Sequence, residues 1–382
     1  MTEQTAPLRL GTRGSRLAVA QSQQVADALT AATGRPVELV RVVTHGDVNR
    51  ASLSQIGGVG VFATALREGL VAGEYDLVVH SFKDLPTAEP EQLEIAAVPL
   101  RADARDVLVS REARRLADLP AGARVGTGST RRQAQLRRQR PDIEVVDIRG
   151  NIDTRLRRLD DDLDGVILAA AGLDRLETGA VVAEYLPIDQ WIVAPAQGAL
   201  AVETRRGDRH LALVLDHAPT RMTADLERAV LAGLGAGCAA PVGVHARVIS
   251  DAVHSEPQVL LEAVVYDDDD FTKDVRLSRR LTPPAALWSA GDRNSRVAPG
   301  TSDARAGSAQ SGATPGGAVH NDVTVTQGAV SAAEVSTPET KAPEVAAQLH
   351  AWAAAAGSEI AQHLIDGGAD RIIAAAEGRR EQ

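Results

Sequence analysis

The stretch Arg124 to Leu159, RVGTGSTRRQAQLRRQRPDIEVVDIRGNIDTRLRRL, decides the fold because it contains two successive units of strand, glycine turn and helix. The first turn is Thr127 to Thr130, and the second is Arg149 to Asn151. Short apolar runs that alternate with glycine turns and helical segments are typical of an α/β fold. We therefore expect this stretch to form half of an α/β domain.

The same stretch is rich in arginine. From Arg131 to Arg158 it has nine arginines and four acidic residues, a local charge of +5 in a chain of net charge −10. A cation in the first turn of a helix is disfavoured by roughly 0.3–1 kcal/mol, unless an anion binds there to the backbone N–H groups. An arginine run alone is usually a solvated helix face, but its position at two helix starts favours a polyanion site. The candidate contacts are Arg131, Arg132, Arg149 and Arg155.

Length and composition exclude several classes of protein. A chain of 382 residues predicts two or three domains. It has no run of 18 apolar residues to span a membrane, and its first residues do not have the pattern of a secretion signal. Its single cysteine, Cys238, fits a reducing cytosol. Net negative charge and an aromatic content of 2% disfavour nucleic-acid binding, and no His and Cys cluster has metal-ligand spacing.

A third unit of strand, turn and helix begins the chain. Leu8 to Leu10 is predicted as a strand, Gly11 to Ser15 as a turn and Leu17 to Leu29 as an amphipathic helix. Ser15 can cap this helix, and Arg13 lies at its start.

A buried strand leads to the one candidate acid. The apolar run Tyr75 to Val79 continues into HSFKDLP, and ligands of open α/β sheets bind at the carboxyl ends of such strands. Lys83 and Asp84 can be a simple neighbouring ion pair. Beside an arginine-lined cleft, however, Asp84 becomes the candidate acid or base. We assign His80 to the core.

The chain is predicted to cross between domains twice. Pro99 to Arg105 leads into the arginine-rich domain, and the apolar run Leu200 to Glu203 rejoins the first sheet. We therefore assign residues 1–99 and 200–218 to domain 1, 103–195 to domain 2 and 221–382 to an α+β domain 3, with a ligand cleft at the hinge. Residues 283–343, rich in Gly, Ser, Ala, Thr and Pro, are predicted to be a disordered insertion.

Cys238 allows two interpretations. A lone cysteine is most often a small buried hydrophobic residue. The surrounding loop, GAGCAAP, instead offers the access that a nucleophile or an attachment site needs. The residues alone do not decide between them.

Eight motifs, in this order along the chain, give it a specific resemblance to one family. They are TRGSRLA (12–18), THGD (44–47), HSFKDLPT (80–87), GTGSTRRQAQL (126–136), IRGNIDTRL (148–156), AAAGLDRL (169–176), PAQGALAVE (195–203) and GAGCAAPVG (235–243). With them the chain resembles the hydroxymethylbilane synthase family, also called porphobilinogen deaminase, over nearly its full length apart from the insertion. Gln55 and Val59 stand where many relatives carry lysine.

The resemblance implies a fold, a cofactor and a reaction. It implies two α/β domains like those of type II periplasmic binding proteins and a small C-terminal α+β domain. It implies a dipyrromethane cofactor joined through a thioether to Cys238. Four porphobilinogen molecules would be added head to tail with loss of ammonia, and water would release the linear tetrapyrrole hydroxymethylbilane for haem biosynthesis. Arginine suits this chemistry because every pyrrole carries two carboxylates.

The resemblance also assigns roles to residues. Asp84 matches the catalytic carboxylate, which would assist the departure of ammonia and stabilise the cation that forms. The matching cofactor-binding residues are Cys238, Lys83, Asp84, Ser129, Arg131, Arg132, Arg149, Gly150 and Arg155. The matching substrate-binding residues are Arg13, Ser15, Thr127, Arg149, Arg155 and Gln197.

Two other functions would use parts of the same sequence. A non-catalytic, two-lobed anion-binding module would share the α/β architecture, but such proteins usually need an export signal, and Asp84 and Cys238 would have no role. An RNA-binding protein could use the arginine stretch, although the composition disfavours it. We expect a cytoplasmic monomer that acts on porphobilinogen and has no nucleic-acid or membrane partner.

Overall fold

The computed structural model describes residues 6–42, 60–237, 240–249, 258–267, 270, 272–284 and 342–378. Several predictions lie outside these ranges: those for Gln55 and Val59, for Cys238, and for most of the 283–343 insertion. Within them, two five-stranded mixed sheets and one three-stranded antiparallel sheet pack with helices. The predicted fold class, two α/β units followed by a small α+β unit, is confirmed.

The elements are numbered in chain order. The strands are β1 (Leu8–Arg13), β2 (Val37–Val42), β3 (Leu77–Ser81), β4 (Leu93–Ala97), β5 (Asp106–Ser110), β6 (Arg124–Gly126), β7 (Glu144–Val146), β8 (Gly165–Ala169), β9 (Glu184–Tyr185), β10 (Leu200–Arg205), β11 (Val242–Ile249), β12 (Gln258–Tyr266) and β13 (Asp274–Leu281). The α-helices are α1 (Arg16–Thr33), α2 (Gly60–Val71), α3 (Thr130–Gln139), α4 (Ile152–Asp161), α5 (Ala170–Leu176), α6 (Ala218–Gly233), α7 (Ala342–Asp366) and α8 (Ala369–Gly378). None of the described helices is both long and apolar enough to cross a bilayer.

The first sheet has the strand order β2-β1-β3-β10-β4. β1 is parallel to β2 and β3, whereas β10 is antiparallel to β3 and β4. All strands of the second sheet lie between β4 and β10 in the chain. The chain therefore leaves the first sheet and returns to it, as the apolar run at Leu200 predicted. The domain boundaries that we assigned stay predictions.

The predicted turn after the first strand is wrong at its beginning. The sequence predicted a turn over Gly11 to Ser15, but β1 continues for three residues into it, pairing with both β2 and β3. Gly11 is needed for close packing and not for a turn. A Cβ at this position would lie 2.6 Å from the ring of Tyr75. Ser15 caps α1 as predicted, accepting a backbone N–H of that helix at 3.3 Å.

The second sheet has the strand order β7-β6-β8-β5-β9. β6 is parallel to β7 and β8, and β5 is antiparallel to β8 and β9. Helices α3 and α4 follow β6 and β7 directly, so both predicted units of strand, turn and helix are confirmed. A Cβ on Gly128 would collide with the backbone carbonyl of Ile148. This close approach brings the arginine-bearing turns of the two units together.

The third sheet, β11-β12-β13, is antiparallel and shares its core with the last helices. Leu349, Ala353 and Leu364 of α7 lie in one apolar cluster with Val244 and Leu261 of the sheet. The alanine-rich helix α7 therefore packs on the small sheet.

Residues 98–105 and 194–199, the hinge segments, carry the chain between the first two sheets. Both are held by the buried carboxylate of Glu227 in α6. It accepts two hydrogen bonds from the Arg101 guanidinium, at 2.7 and 2.9 Å, and one from the Ala196 N–H at 2.5 Å. Burial alone would raise the pKa of Glu227, but Arg101 and His245 outweigh it and lower this pKa to about 2. The hinge segments are thus tied to the third sheet through α6.

Candidate active site

Several predicted site residues follow the carboxyl ends of parallel strands, where α/β sheets bind ligands. Arg13 ends β1, and a 3-10 turn, Phe82–Asp84, follows β3. The turns after β6 and β7 carry Ser129 and Gly150. Four predicted residues converge on Asp106, the first residue of β5. They are Lys83, Arg131, Arg132 and Gln197.

Asp106 is fully buried and accepts four hydrogen bonds. Arg131 Nη2 and Trp191 Nε1 each donate to Oδ2 at 2.8 Å. Arg132 Nη2 and Gln197 Nε2 each donate to Oδ1 at 2.7 Å. Burial alone would raise the pKa of Asp106, but the two guanidinium charges and these hydrogen bonds hold it well below its usual range. Asp106 is therefore a buried anion that neutralises part of the arginine charge.

Arg131 and Arg132 are themselves buried, at 3% and 5% exposure. Their Nη1 atoms donate to backbone carbonyls, those of Ile192 at 2.8 Å and Ile167 at 3.2 Å. Their Nε atoms are buried and have no hydrogen-bond partner among the described residues. Since buried donors are rarely left without an acceptor, these two N–H groups are places for an acceptor that the described residues do not supply. The proposed ligand contact of both arginines stays a prediction.

Gln197 connects the hinge to this cluster. Its Nε2 donates to the Ala104 carbonyl and to Asp106, both at 2.7 Å. Its Oε1 lies 3.4 Å from Lys83 Nζ and 3.5 Å from Arg132 Nη2. One buried amide thus joins residues that come from both α/β units. Its predicted role as a substrate contact stays a prediction.

Lys83 and Asp84 lie beside the buried cluster. Lys83 is half-buried, whereas Asp84 is exposed. Burial lowers the pKa of Lys83, the Asp84 carboxylate opposes this shift, and the charge of Arg132 adds to it. The candidate acid and the arginine cluster are therefore within electrostatic range of the same ammonium group. His80 is buried as predicted, with Nε2 3.1 Å from the Glu203 carboxylate.

The second arginine-bearing turn, Arg149 to Asn151, is followed by α4, which carries Arg155. Arg155 is half-buried, and its Nε donates to the Gly150 carbonyl at 2.9 Å. Burial and the charge of Arg132 both lower the pKa of Arg155. Arg149, in contrast, is 85% exposed, and its Nε lies 3.5 Å from Asp147. Arg155 is therefore within electrostatic range of Arg132, whereas the Arg149 side chain lies in solvent.

The small polar residues of the first turn serve local structure. Ser129 caps α3, with its Oγ 3.5 Å from the Arg132 backbone N–H. Thr127 is fully buried, and its hydroxyl accepts the Ser129 N–H at 3.3 Å. These bonds fix the start of α3, so they set the position of both buried arginines. Ligand contacts by these hydroxyls stay predictions.

At the start of the chain, Arg13 is half-buried at the end of β1. Next to it, Arg16 Nη1 makes an ion pair at 2.9 Å with Asp153 of α4. This pair joins the first turn of α1 to the first turn of α4, across the two sheets. The predicted contacts of Arg13 and Ser15 with substrate stay predictions.

Sequence reasoning missed two residues of this region. Asp106 opens a buried strand, and an acid in such a place is a signal that could have been noticed. Arg175 of α5 donates from Nη2 to the Gly198 carbonyl at 2.9 Å, and burial lowers its pKa. It stands in the motif AAAGLDRL, but a single arginine late in a helix resembles ordinary dipole compensation.

The arrangement suits a ligand with several carboxylates. Lys83, Arg131, Arg132 and Arg155 supply four cations, and Asp84 and Asp106 supply two anions, so the cluster keeps a net charge of +2. Guanidinium groups bind carboxylates through paired hydrogen bonds and stay protonated. Across the described ranges, no group of three or more His, Cys, Asp or Glu side chains is arranged to hold a metal ion.

Comparison with known proteins agrees with this geometry. Residues 8–212 match the family model "Porphobilinogen deaminase, dipyromethane cofactor binding domain", and residues 222–282 match "Porphobilinogen deaminase, C-terminal domain". The porphobilinogen deaminase of Leifsonia xyli subsp. xyli is 56% identical over 285 residues, which cover 72% of this chain and 84% of that protein. Porphobilinogen deaminase 1 of Streptomyces coelicolor is 51% identical over 280 residues, or 71% and 87% of the two chains.

A third relative, the porphobilinogen deaminase of Thermobifida fusca, is 49% identical over 284 residues and covers 73% of this chain and 87% of its own. Among solved structures, immunogenic lipoprotein A from Vibrio vulnificus aligns with 55% of this chain and 93% of its own, at 13% identity and a TM-score of 0.34. The two family models and the three relatives lead to one conclusion: the chain belongs to the porphobilinogen deaminase family.

Proposed function

We infer that this protein is a hydroxymethylbilane synthase, a transferase of tetrapyrrole and haem biosynthesis. It condenses four porphobilinogen molecules head to tail with loss of ammonia and releases the linear tetrapyrrole hydroxymethylbilane by hydrolysis. The observation that carries this inference is the family match, which covers residues 8–212 and 222–282. The net positive cluster around Asp106 supports it, because substrate and product are polycarboxylates.

The described residues fit the dipyrromethane cofactor that the family model names. The buried Nε–H groups of Arg131 and Arg132 need acceptors, and ionised carboxylates are acceptors only. Lys83 and Arg155, whose pKa values are lowered by burial, would gain from an added negative charge. When bound, the cofactor supplies the pyrrole position to which substrate is added. Its proposed attachment point is Cys238, and the other proposed contacts are Lys83, Asp84, Ser129, Arg131, Arg132, Arg149, Gly150 and Arg155.

Asp84 is the proposed catalytic carboxylate. It is exposed after the end of β3 and lies beside Lys83, and we propose that it exchanges a proton with bound substrate. Its negative charge would stabilise the cation that porphobilinogen becomes when its amino group leaves as ammonia. Arg13, Ser15, Thr127, Arg149, Arg155 and Gln197 are proposed to bind the substrate carboxylates. The protein is proposed to act as a cytoplasmic monomer.

Intact mass and turnover test the function together. Purified protein should be heavier than its sequence by two pyrrole units, and it should convert porphobilinogen to hydroxymethylbilane. The Cys238→Ser variant should have the mass of the bare chain. A native protein of bare mass that leaves porphobilinogen unchanged would contradict the proposal and favour a non-catalytic anion-binding module.

Replacing Asp84 by asparagine tests the catalytic assignment. We expect the rate of porphobilinogen consumption to fall by roughly 100-fold or more while the cofactor mass remains. The matched control is Asp118→Asn, because Asp118 is also exposed and also ends a 3-10 turn, Leu116–Asp118. A near-normal rate in the Asp84 variant would show that another group performs this role.

A further inference from the structure

The turn that carries Asp84 is anchored at Phe82 and Leu85, which are buried in one apolar cluster, but it has little hydrogen bonding within itself. It is a single 3-10 turn, Phe82–Asp84, with a cap bond from the Leu85 N–H to the Phe82 carbonyl at 3.3 Å. Such short turns have poorer hydrogen-bond geometry than α-helices and do not stand alone. Because Asp84 is exposed, its own side chain packing does little to fix its position.

One guanidinium from another element holds this turn. Arg228 of α6 donates from Nη1 to the Phe82 carbonyl at 3.1 Å and to the Leu85 carbonyl at 2.9 Å. Its Nη2 donates to the Pro86 carbonyl at 2.7 Å. Its central carbon also lies 4.5 Å from the centre of the Phe82 ring. The three acceptors therefore lie on both sides of Asp84, and one rigid, planar group fixes their spacing.

The same helix connects the turn to the rest of the proposed site. Glu227, the residue before Arg228, binds the hinge segments through Arg101 and Ala196. Ten residues after Arg228 the chain reaches Cys238. α6 thus holds the hinge and the acid-bearing turn with adjacent side chains, and it leads into the loop of the proposed attachment point.

We propose that Arg228 is a positioning residue, which fixes the Asp84 carboxylate relative to the polypyrrole site by clamping the turn at the carbonyls of Phe82, Leu85 and Pro86. This rests on the proposed function. Displacement of a catalytic group by about 1 Å can cost roughly 100-fold in rate. Loss of the clamp should therefore lower kcat more than it changes KM, because the three hydrogen bonds of the clamp all go to backbone carbonyls of the turn.

The primary test is Arg228→Met, which keeps an unbranched side chain over the Phe82 ring and removes all three donors. The variant is assayed as the full chain carrying its cofactor. We expect its kcat to fall by roughly 10- to 100-fold and its KM to stay within about threefold of the native value. Arg228→Lys keeps the charge but lacks the fork, and it should recover only part of kcat. If the methionine variant does not fold, the Arg228→Lys variant tests the proposal in its place.

The matched control is Arg221→Met. Arg221 lies on the same helix and is similarly buried, at 6% against 9% for Arg228, but it contacts Asp216 and the Ile95 carbonyl. The Arg221→Met variant should be less stable than the native protein, but its kcat should not fall comparably. Equal losses of kcat in the two variants would mean that Arg228 acts only through stability, and would overturn the proposal.

A double-mutant cycle with Asp84→Glu separates positioning from a general defect. If Arg228 acts through Asp84, adding Arg228→Met to the misplaced carboxylate should cost much less than in the native background. Arg221→Met should cost the same in both backgrounds. If the fold-loss of kcat in the double variant equals the product of the fold-losses in the Arg228→Met and Asp84→Glu single variants, the proposal is refuted. A different result would refute the proposed function: native protein that lacks the cofactor mass and does not consume porphobilinogen.

Discussion

Replacing Asp106 by asparagine would remove the negative charge at the centre of the buried arginine cluster and leave the side-chain shape almost unchanged. In the native chain Oδ2 accepts from Arg131 and Trp191, both at 2.8 Å. Oδ1 accepts from Arg132 and Gln197, both at 2.7 Å. Asparagine offers one oxygen and one NH2 group, so two of these four donors would face another donor. Both guanidiniums would remain charged.

The expected loss of stability follows from the burial of all three charged groups. Asp106 is fully buried, and the two arginines are 3% and 5% exposed. Removing one partner from a buried ion pair costs roughly 3–5 kcal/mol, because the remaining charge is left without compensation. Typical free energies of unfolding are about 5–15 kcal/mol, so the variant should fold with a much smaller margin.

Urea unfolding measures this loss of stability. The fluorescence of Trp191 follows unfolding at this place, because Trp191 is 1% exposed and its indole N–H donates to Asp106. With an m value of about 1–3 kcal/mol/M, the urea midpoint should fall by about 1 M or more. Asp162→Asn is the matched control. Asp162 also binds two arginines, Arg124 at 2.8 Å and Arg158 at 2.5 Å, but at the surface. Exposed pairs contribute little.

The effect should also depend on pH. The pKa of Asp106 is lower in the folded chain than its ordinary value of 3.8, so its contribution to stability is present above about pH 4. It is lost as the pH falls from there toward the folded pKa. The difference in urea midpoint between the native protein and the Asp106→Asn variant should therefore become smaller as the pH is lowered below about 4. If Asp106→Asn loses no more stability than Asp162→Asn at neutral pH, the carboxylate does not hold the cluster together.

Two further predictions concern backbone and buried hydroxyl positions. Gly198→Ala should lower the free energy of unfolding by at least about 2 kcal/mol, because Gly198 has φ +87° and a Cβ there would lie 2.6 Å from the Ala102 carbonyl oxygen. Its control, Gly207→Ala, has φ +96° but open space and should cost about 1–2 kcal/mol; equal costs would exclude the collision. Tyr75→Phe should cost about 1 kcal/mol in urea unfolding, since the buried hydroxyl, whose pKa burial raises to about 12, donates to a carbonyl of α2 at 2.7 Å. The exposed Tyr185→Phe should be neutral, and an equal loss there would contradict this account.

Much of the fold was predictable because its signals are local. Glycine turns and apolar runs located β6, β7 and the helices that follow them, and Ser15 was correctly predicted as a helix cap. The position of Asp84 at the end of a buried strand was also readable, since it depends only on a strand and the polar residues after it. The error at Gly11 has the opposite origin. Its cause is a close contact with Tyr75, which lies 64 residues away in the chain.

The amino-acid sequence was sufficient to predict the α/β class and the return of the chain to its first sheet. Only the tertiary structure decided that Arg131 and Arg132 share a buried counter-ion, Asp106, and that a guanidinium from α6 holds the turn of Asp84. The physical reason is that an ion pair depends on the distance between charges in space. That distance is set by how whole sheets and helices pack, and periodicity, caps and turns do not encode it.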